Sequence, residues 1–379
     1  MRIIYVLPKE AYFTVGPCGS VSHAVGVADT LSQLGKDVTV VSGPQASEYF
    51  HYAKVVEVEK TKSGFWHSAM FDTIDDVLSS SAEPTFVIVR YGVSNGFRFI
   101  SRMRQRSTTR MWCFEVNSLA FHQFHNLPTW VRKLVLKIEI RIVGQADASY
   151  LVSDTLRSDI EPTVRDAHRC LVVPNGGQAP IWLSPAKSDK VFRFVFFGRL
   201  ADYYHLEVVI EGFLFARTQG LNAELHFYGD GPQLTSIENM AKRDGNIHVH
   251  GRFVLQELIT DALDDSQCAL LLPFGDNNGL NRVGSPIKLF EYMSTGLPII
   301  ASDTPQMRLA LTNNKSAILA KTSSATAWGQ AILDMESSKQ RRDAISKEIR
   351  KVYPEFTWER RMTQLFEGLR QCLSDNRSL

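Results

Sequence analysis

The stretch 275–303 holds residues whose types and spacing suit the binding of an anion. It follows an apolar run that ends at Pro273. A helix is predicted to begin near Ser285 and Pro286, because proline favours the first helical turn. Backbone N–H groups at a helix start have no partner within the helix and lie at its positive end. The N–H groups predicted to bind the anion are those of Gly284, Ser285 and Ile287.

Two charged side chains follow in the same predicted helix. Lys288 lies one turn in, where its ammonium adds a point charge suited to a phosphate. Glu291 lies three residues further, on the same helical face. A carboxylate does not bind phosphate, but it accepts two hydrogen bonds from sugar or ribose hydroxyls. The alternative interpretation is a capped helix with an exposed Lys–Glu pair, and the segment alone leaves both open.

Three further candidates lie at the ends of predicted elements. Arg199 follows the apolar run 192–198, where a guanidinium suits a diphosphate; an ordinary surface arginine is the alternative. Glu115, beside Asn117, ends another apolar run, and we expect it to face a cleft, because burying an unpaired charge is costly. The opening loop carries two glycines that would let the backbone approach a ligand closely, or that form a generic tight turn. They are Gly16 and Gly19.

The elements that must position these residues are apolar runs that alternate with helical patterns. The runs occupy 3–8, 38–42, 86–92, 111–117, 148–153, 170–176, 192–198, 223–229, 246–251, 268–274, 297–302 and 316–320. Such alternation is typical of parallel sheets buried on both faces, which bind ligands at the carboxyl ends of their strands. The Gly-, Pro- and Ser-containing residues 176–190 interrupt the alternation and predict a linker between two α/β halves.

The bulk composition excludes several classes of protein. The 379 residues carry a net charge of +2, which implies no general attraction to nucleic acid. Five scattered cysteines without a C-x-x-C pair predict reduced thiols in the cytoplasm. The first apolar run is too short for a signal peptide, and no run reaches the roughly 18–20 apolar residues of a membrane span. Because the sequence shows no D-x-D pair and no His/Cys cluster at ligand spacing, we predict no metal site.

Motifs along the chain resemble those of one enzyme family. SPIKLFEYMSTGLPIIAS (285–302) strongly resembles the donor-binding segment of retaining, family-4-type glycosyltransferases, in the branch that carries S-P-x-K-x-x-E-Y-M. Other stretches match the family's order: VRYG (89–92), FEVNSLA (114–120), LVVPNGG (171–177), FFGRL (196–200), LHFYGDGP (225–232), HVHGRF (248–253) and TWERR (357–361). The resemblance covers nearly the whole chain and implies the GT-B fold, an α/β architecture of two Rossmann-like domains facing each other across a cleft.

The resemblance also implies a domain plan and an activity. It places an acceptor-side domain at 1–180, a donor-binding domain at 190–356, and a terminal helix at 357–379 that crosses back to the first domain. The implied reaction is metal-independent transfer, with retention, of a sugar from a nucleotide-diphosphate-sugar co-substrate to a glycan, glycolipid or small-molecule acceptor, with no cofactor. A nucleotide-sugar epimerase of the same fold and a non-catalytic sugar-nucleotide binder are the alternatives. A nicotinamide oxidoreductase is disfavoured, because the opening loop lacks G-x-G-x-x-G.

The candidate site residues follow from both arguments. The candidate catalytic residues are Glu115, Arg199, Lys288 and Glu291. The candidate donor-binding residues are Gly16, Gly19, Phe253, Gly284, Ser285 and Ile287. Phe253 matches the place where the family's backbone reads the nucleobase, and an ordinary core phenylalanine is the alternative. Glu115 matches a position where other members place a sugar-contacting histidine.

Two positions depart from the family's pattern. Val283 stands where the common E-x7-E begins, and Tyr204 stands where a lysine is usual. Lys288 or His205 is the candidate for the missing charge.

Two basic stripes lie in the first half of the chain. Arg98, Arg102 and Arg106 recur at i+4 spacing, as do Lys133, Lys137 and Arg141. They predict reversible docking to an anionic membrane, consistent with a cytoplasmic enzyme at the inner membrane face that extends a lipid-linked saccharide in polysaccharide biosynthesis. A solvated basic face is the alternative. No nucleic acid partner is predicted, because aromatic residues do not interleave with the charges.

Overall fold

The structure, a computed structural model, is divided between two compact units. It describes residues 1–14, 18–58, 66–104, 107, 109–124, 127–161, 169–183, 191–253, 258, 263, 268–275 and 283–377. Unit 1 comprises Met1–Gly176, Val283–Ile287 and Trp358–Leu379. Unit 2 comprises Gly177–Arg282 and Lys288–Thr357.

Unit 1 is organised around a parallel sheet. Its strands are β1 (Arg2–Val6), β2 (Asp37–Ser42), β3 (Lys54–Glu57), β4 (Thr85–Arg90), β5 (Arg110–Val116), β6 (Ala148–Leu151) and β7 (Cys170–Val172). In the described residues the order is β3-β2-β1-β4-β5-β6-β7, and every pairing is parallel. Strand β1 is completely buried, because helices cover both faces of such a sheet. The chain order reverses beside β1, which places ligand-facing residues at the carboxyl ends of the central strands.

The helices of unit 1 pack on the two faces of this sheet. They are α1 (Gly19–Gln33), α2 (Trp66–Ser79), α3 (Val93–Met103), α4 (Ala120–Gln123), α5 (Thr129–Val143) and α6 (Asp154–Ile160), followed by the terminal helix Trp358–Arg377. One apolar core joins α1 and the terminal helix to the sheet, and a second lies under α2 and α3. Gly26 on α1 lies directly against the Trp358 ring, so the two helices pack without a side chain between them.

Unit 2 repeats the architecture with a smaller sheet. Its strands are β8 (Phe192–Phe197), β9 (Ala223–Tyr228), β10 (Ile247–Val249), β11 (Cys268–Leu272), β12 (Ile299–Ser302) and β13 (Ile318–Ala320). They form a parallel sheet in the order β10-β9-β8-β11-β12-β13 over the described residues. The helices with described bounds are α7 (Leu206–Thr218), α8 (Leu234–Ala241), α9 (Ile287–Ser294), α10 (Pro305–Arg308), α11 (Ala325–Ser337) and α12 (Lys339–Val352). The terminal helix is therefore α13.

The predicted strands are present, and the boundaries differ in informative places. Each of the apolar runs contains a strand, whereas β3 was missed because it has only four residues, KVVE, and none of them is fully buried. Residue 180, the predicted end of the first domain, lies beyond the unit boundary after Gly176. The reason is local: the N–H groups of Ile181 and Leu183 donate to the carbonyls of Ser294 and Thr295 in unit 2. Among the described helices, none is long and apolar enough to cross a membrane.

Changing Gly26 to Ala tests the packing of the terminal helix. In an exposed helix this change stabilises a protein by about 0.5–1 kcal/mol. Here the new methyl group meets the Trp358 ring, so we expect destabilisation of about 1–3 kcal/mol, the usual cost of overpacking. Urea unfolding followed by tryptophan fluorescence measures the change. Gly245→Ala is the control, because open space surrounds Gly245; equal stability of the two variants would contradict the contact.

Candidate active site

A buried carboxylate, Glu115, lies at the carboxyl end of β5 in unit 1. Its side chain is completely buried. The Tyr5 hydroxyl donates to Oε2 over 2.5 Å, and the Asn117 amide donates to Oε1 over 2.5 Å. His23 Nε2 lies 2.8 Å and Arg90 Nη1 3.1 Å from the same Oε1. We expected Glu115 to face a cleft; in the structure, protein groups enclose its carboxylate and leave it without exposed surface.

The electrostatics of Glu115 follow from these neighbours. Burial alone would raise its pKa, but the charges of His23 and Arg90 and the hydrogen bond from Tyr5 lower that pKa to about 2. The carboxylate is therefore ionised at neutral pH. It offers fixed negative charge that orients the imidazole and the guanidinium around it.

A chain of polar contacts runs from Glu115 to the predicted anion-binding segment. His23 Nδ1 lies 2.6 Å from Asn175 Oδ1, so both ring nitrogens of His23 face oxygen atoms. The backbone N–H of Asn175 donates to Ser285 Oγ over 3.0 Å, and its side-chain amide donates to the Ser285 carbonyl. Ser285 is 8% exposed. The structure therefore brings together Glu115 and Ser285, which lie far apart in the sequence, through two residues that the sequence analysis did not select.

The segment Val283–Ile287 belongs to unit 1 rather than to the donor-binding half expected from the sequence. The Ser153 hydroxyl donates to the Val283 carbonyl over 2.5 Å, and the Val283 side chain is fully buried in the core under α2 and α3. This packing explains why an apolar residue, Val283, stands where the family pattern has a glutamate. Gly284 and Ile287 flank Ser285 and are half-buried.

Of the two glycines predicted to contact a ligand in the opening loop, only Gly19 lies among the described residues. Gly16 lies outside the described residues. Gly19 is exposed at the first position of α1, and open space surrounds the place where a side chain would start. A generic helix start therefore accounts for the Gly19 geometry as well as ligand contact does.

In unit 2, Lys288 and Glu291 lie together beside the carboxyl end of β8. Lys288 Nζ is 2.5 Å from Glu291 Oε2 and 5.1 Å from the centre of the Phe197 ring. The lysine stem crosses Gly198, where an added Cβ would lie 2.8 Å from Lys288 Cε. Gly198 also has φ +142, which disfavours other residues. Glycine is therefore required at position 198 both for the turn and for the close approach of Lys288.

Tyr292 fixes α9 to the end of β8. Its hydroxyl accepts from the Phe197 N–H over 2.8 Å and donates to the Phe197 carbonyl over 3.0 Å. The side chain is fully buried, so both bonds are shielded from water. These two hydrogen bonds set the distance between α9 and the strand end, and therefore place Lys288 over Gly198.

The other candidates in unit 2 surround this strand end. Arg199 follows Gly198 and is exposed. Phe253 is half-buried, with its ring 6.0 Å from the Phe197 ring in an edge-on arrangement. Tyr204, which stands where the family has a lysine, is buried and packs 4.8 Å from the Phe274 ring. Tyr204 is therefore a core residue, and it does not supply the missing charge.

Sequence analysis missed several polar residues that the structure brings together. Strand positions i and i+2 share a face, so Glu224 with His226, and His248 with His250, form a polar patch on β9 and the end of β10. The sequence spacing showed no cluster of metal ligands, but in the structure Glu224, His226 and His248 offer ligand atoms within 4.8 Å of one another. Burial lowers the pKa of His226 to about 4, so this ring is neutral at physiological pH. The missed signal is the pair of alternating motifs E-x-H and H-x-H.

Comparison with family models gives a match to part of the chain. Residues 191–338, which include much of unit 2 and the unit 1 segment Val283–Ile287, match the family model described as Glycosyl transferases group 1. No protein among the curated sequences matches the chain.

Solved structures match over nearly the full length. Sucrose-phosphate synthase from Thermosynechococcus elongatus is 14% identical with a TM-score of 0.73, covering 99% of this chain and 100% of that one. HepE from Anabaena in complex with UDP-glucose is 13% identical with a TM-score of 0.70, covering 98% and 100%. The apo lipopolysaccharide outer core galactosyltransferase WaaB is 16% identical with a TM-score of 0.67, covering 98% and 99%. These likenesses confirm the GT-B fold, and the match of residues 191–338 supports a glycosyltransferase.

The pH dependence of stability tests the charge of Glu115. Its folded pKa of about 2 lies below the unfolded value of about 4.3. The ionised carboxylate therefore contributes about 3 kcal/mol above pH ~5, and this contribution is lost as pH falls toward 2. We expect Glu115→Gln to be strongly destabilised at pH 7 and to approach the wild type in acid.

Urea unfolding followed by circular dichroism from pH 7 to pH 3 measures this convergence. Glu359→Gln, which changes an exposed carboxylate of α13, is the control and should track the wild type throughout. A stability gap between Glu115→Gln and wild type that stays constant over this range would contradict the lowered pKa.

Proposed function

We propose that this glycosyltransferase uses a nucleoside-diphosphate-sugar donor, bound in unit 2, and transfers its sugar with retention and without a metal ion. The observation that carries the proposal is the position of Lys288 over Gly198, with the exposed Arg199 next in sequence. Two cations at a strand end of the group 1 domain suit a diphosphate. The complexes of HepE with UDP and with UDP-glucose support a donor of this class.

Lys288 and Glu291 then exchange partners when the donor binds. In the structure the two side chains satisfy each other over 2.5 Å, and both are partly exposed. A diphosphate attracts the ammonium more strongly than one carboxylate does, because it carries more charge. Glu291, released from Lys288, accepts hydrogen bonds from donor hydroxyls and holds the sugar rather than attacking it. The leaving diphosphate is neutralised by Lys288 and Arg199, which is the role a divalent metal ion has in other transferases.

The acceptor side is proposed to be unit 1, which docks to an anionic membrane through α5. Trp130, Leu134 and Ile138 recur at i+4 spacing and are 71%, 53% and 36% exposed. The exposed Lys133 and Lys137 lie beside them on the same helix. Apolar side chains flanked by lysines are typical of helices that lie in the plane of a membrane interface. The acceptor is accordingly proposed to be a lipid-linked or envelope-bound saccharide.

The first basic stripe contributes less than the sequence suggested. Arg102 forms an ion pair with Asp75, and its guanidinium lies over the Phe71 ring. Arg106 lies outside the described residues, and Arg98 is exposed. The docking surface is therefore assigned to α5.

Replacing Lys288 by Ala tests the donor site. Loss of one charge-assisted hydrogen bond should weaken the binding of UDP, the probe nucleotide, by about 1.5–3 kcal/mol, or roughly 10- to 150-fold. Calorimetric titration in the presence of EDTA measures this change. Lys321→Ala, which removes an exposed lysine elsewhere in unit 2, should bind UDP as the wild type does.

Turnover distinguishes the proposal from its alternatives. Transfer of sugar to an acceptor with EDTA present, with the anomeric configuration kept, supports it. Activity that disappears with the chelator and returns with manganese would overturn metal independence. Conversion of donor alone would identify an epimerase, and UDP-sugar binding without turnover across an acceptor panel would identify a non-catalytic binder.

Co-sedimentation with anionic vesicles tests the docking surface. We expect a variant with Trp130, Lys133 and Lys137 changed to Ser to bind at least about tenfold more weakly, since each basic residue contributes about 1 kcal/mol. Binding by the wild type should also weaken as salt shortens the Debye length from about 8 Å at 0.15 M toward about 3 Å at 1 M.

The matched control changes two exposed lysines and one exposed apolar residue in unit 2. These are Lys339, Lys351 and Leu309, all to Ser. Vesicle binding that is equal in both triple variants, or absent from the wild type at low salt, would show that α5 is only a solvated face.

A further inference from the structure

The outer strands β9 and β10 of unit 2 carry a cluster of side chains suited to a metal ion. Glu224 and His226 are alternate residues of β9 and project from one face of the sheet. His248 on β10 is the parallel neighbour of His226, so its side chain lies on the same face. One carboxylate oxygen and one nitrogen from each of these histidines lie within 4.8 Å of one another.

The chemistry of this donor set is specific. His226 Nε2 lies 3.0 Å from Glu224 Oε2, and ligand atoms around a tetrahedral zinc ion lie about 3.4 Å apart, given bond lengths of about 2.0–2.1 Å. Imidazole nitrogen with one carboxylate suits first-row divalent transition metals, whereas magnesium and calcium prefer oxygen. The His226 and Glu224 atoms are thus already close to the separation of two ligands of one zinc ion, and the His248 nitrogen lies within 4.8 Å of both.

Neighbouring groups orient these ligands. The other ring nitrogen of His226, Nδ1, lies 2.9 Å from His250 Nε2. A metal-bound histidine commonly has its second nitrogen held by such a partner, which fixes the ring. Arg193 Nε lies 3.4 Å from Glu224 Oε2, so a bound cation would replace the guanidinium as the partner of that oxygen.

We propose that Glu224, His226 and His248 form a binding site for a divalent transition metal ion of the zinc type, completed by water. Its position is structural rather than catalytic. Beyond the site, the Gly229 N–H donates to the Gly251 carbonyl over 2.6 Å, which joins the loops that follow the two strands. The ion links β9 to the outer strand β10 immediately before those loops, and therefore restrains the segment that leads to Phe253. The site is separate from the Lys288 and Arg199 cations and does not depend on the proposed reaction.

Zinc binding to the metal-free full-length protein tests the site. After dialysis against EDTA, we expect one Zn²⁺ per chain in a competition titration with a chromophoric chelator, together with a rise in Tm. Co²⁺ in place of Zn²⁺ should give visible d–d bands of a four-coordinate site. Glu224→Gln and His248→Ala should each weaken Zn²⁺ binding at least tenfold and abolish both the bands and the Tm rise.

Two further variants separate the ligands from general histidine effects. His250→Ala should weaken Zn²⁺ binding about 10- to 100-fold, as loss of an orienting partner does. His51→Ala, which removes an exposed histidine of unit 1, should leave binding unchanged. Glu224 and His248 are both only half-buried, so we expect these two variants to fold, and far-UV circular dichroism checks this. No saturable Zn²⁺ binding by the wild type, or undiminished binding by Glu224→Gln and His248→Ala, would overturn the proposal.

Discussion

The ionised carboxylate of Glu115 is the constraint on which the polar organisation of unit 1 depends. A charge that is completely buried must be compensated, because its transfer from water costs several kcal/mol. Tyr5, His23, Arg90 and Asn117 supply that compensation from the ends of β1, α1, β4 and β5. Once His23 is held by Glu115, its other nitrogen is aimed at Asn175, and Asn175 in turn holds Ser285. The buried charge is thereby linked to the Val283–Ile287 segment, which Ser153 and the packing of Val283 also hold on unit 1.

Unit 2 solves a similar positioning problem without a buried charge. Tyr292 clamps α9 to the main chain of Phe197, and Gly198 leaves room for the Lys288 stem. Lys288 is therefore positioned by its place on α9 and by the two neutral hydrogen bonds between Tyr292 and Phe197. The Lys288 side chain remains 20% exposed, so its ammonium is able to change partners. The rigid part and the adaptable part of this strand end are thus different residues.

The fold was largely predictable from the sequence, because buried parallel strands are continuous apolar runs and each such run became a strand. The site was predictable only where local spacing decides geometry, as for Lys288 and Glu291 on one helical turn. The burial of Glu115 was not predictable, since a sequence does not show which distant side chains surround a carboxylate. Val283 and Tyr204 were unexplained departures from the family pattern in the sequence, whereas tertiary packing makes both core residues. The β9 and β10 histidines required the strand register, which no single motif contains.

The association of α13 with unit 1 has a consequence for the order in which the chain matures on the ribosome. Residues Met1–Gly176 leave the ribosome first, yet the α1 face around Gly26 waits for Trp358 and the apolar residues that follow it. At a synthesis rate of about 5–20 residues per second, that wait lasts roughly 10–40 s. During this time an apolar surface of the nascent first half is uncovered, and a chaperone can bind there. Completion of unit 1 therefore depends on the synthesis of α13, whereas the residues of unit 2 have all been synthesised before α13 begins.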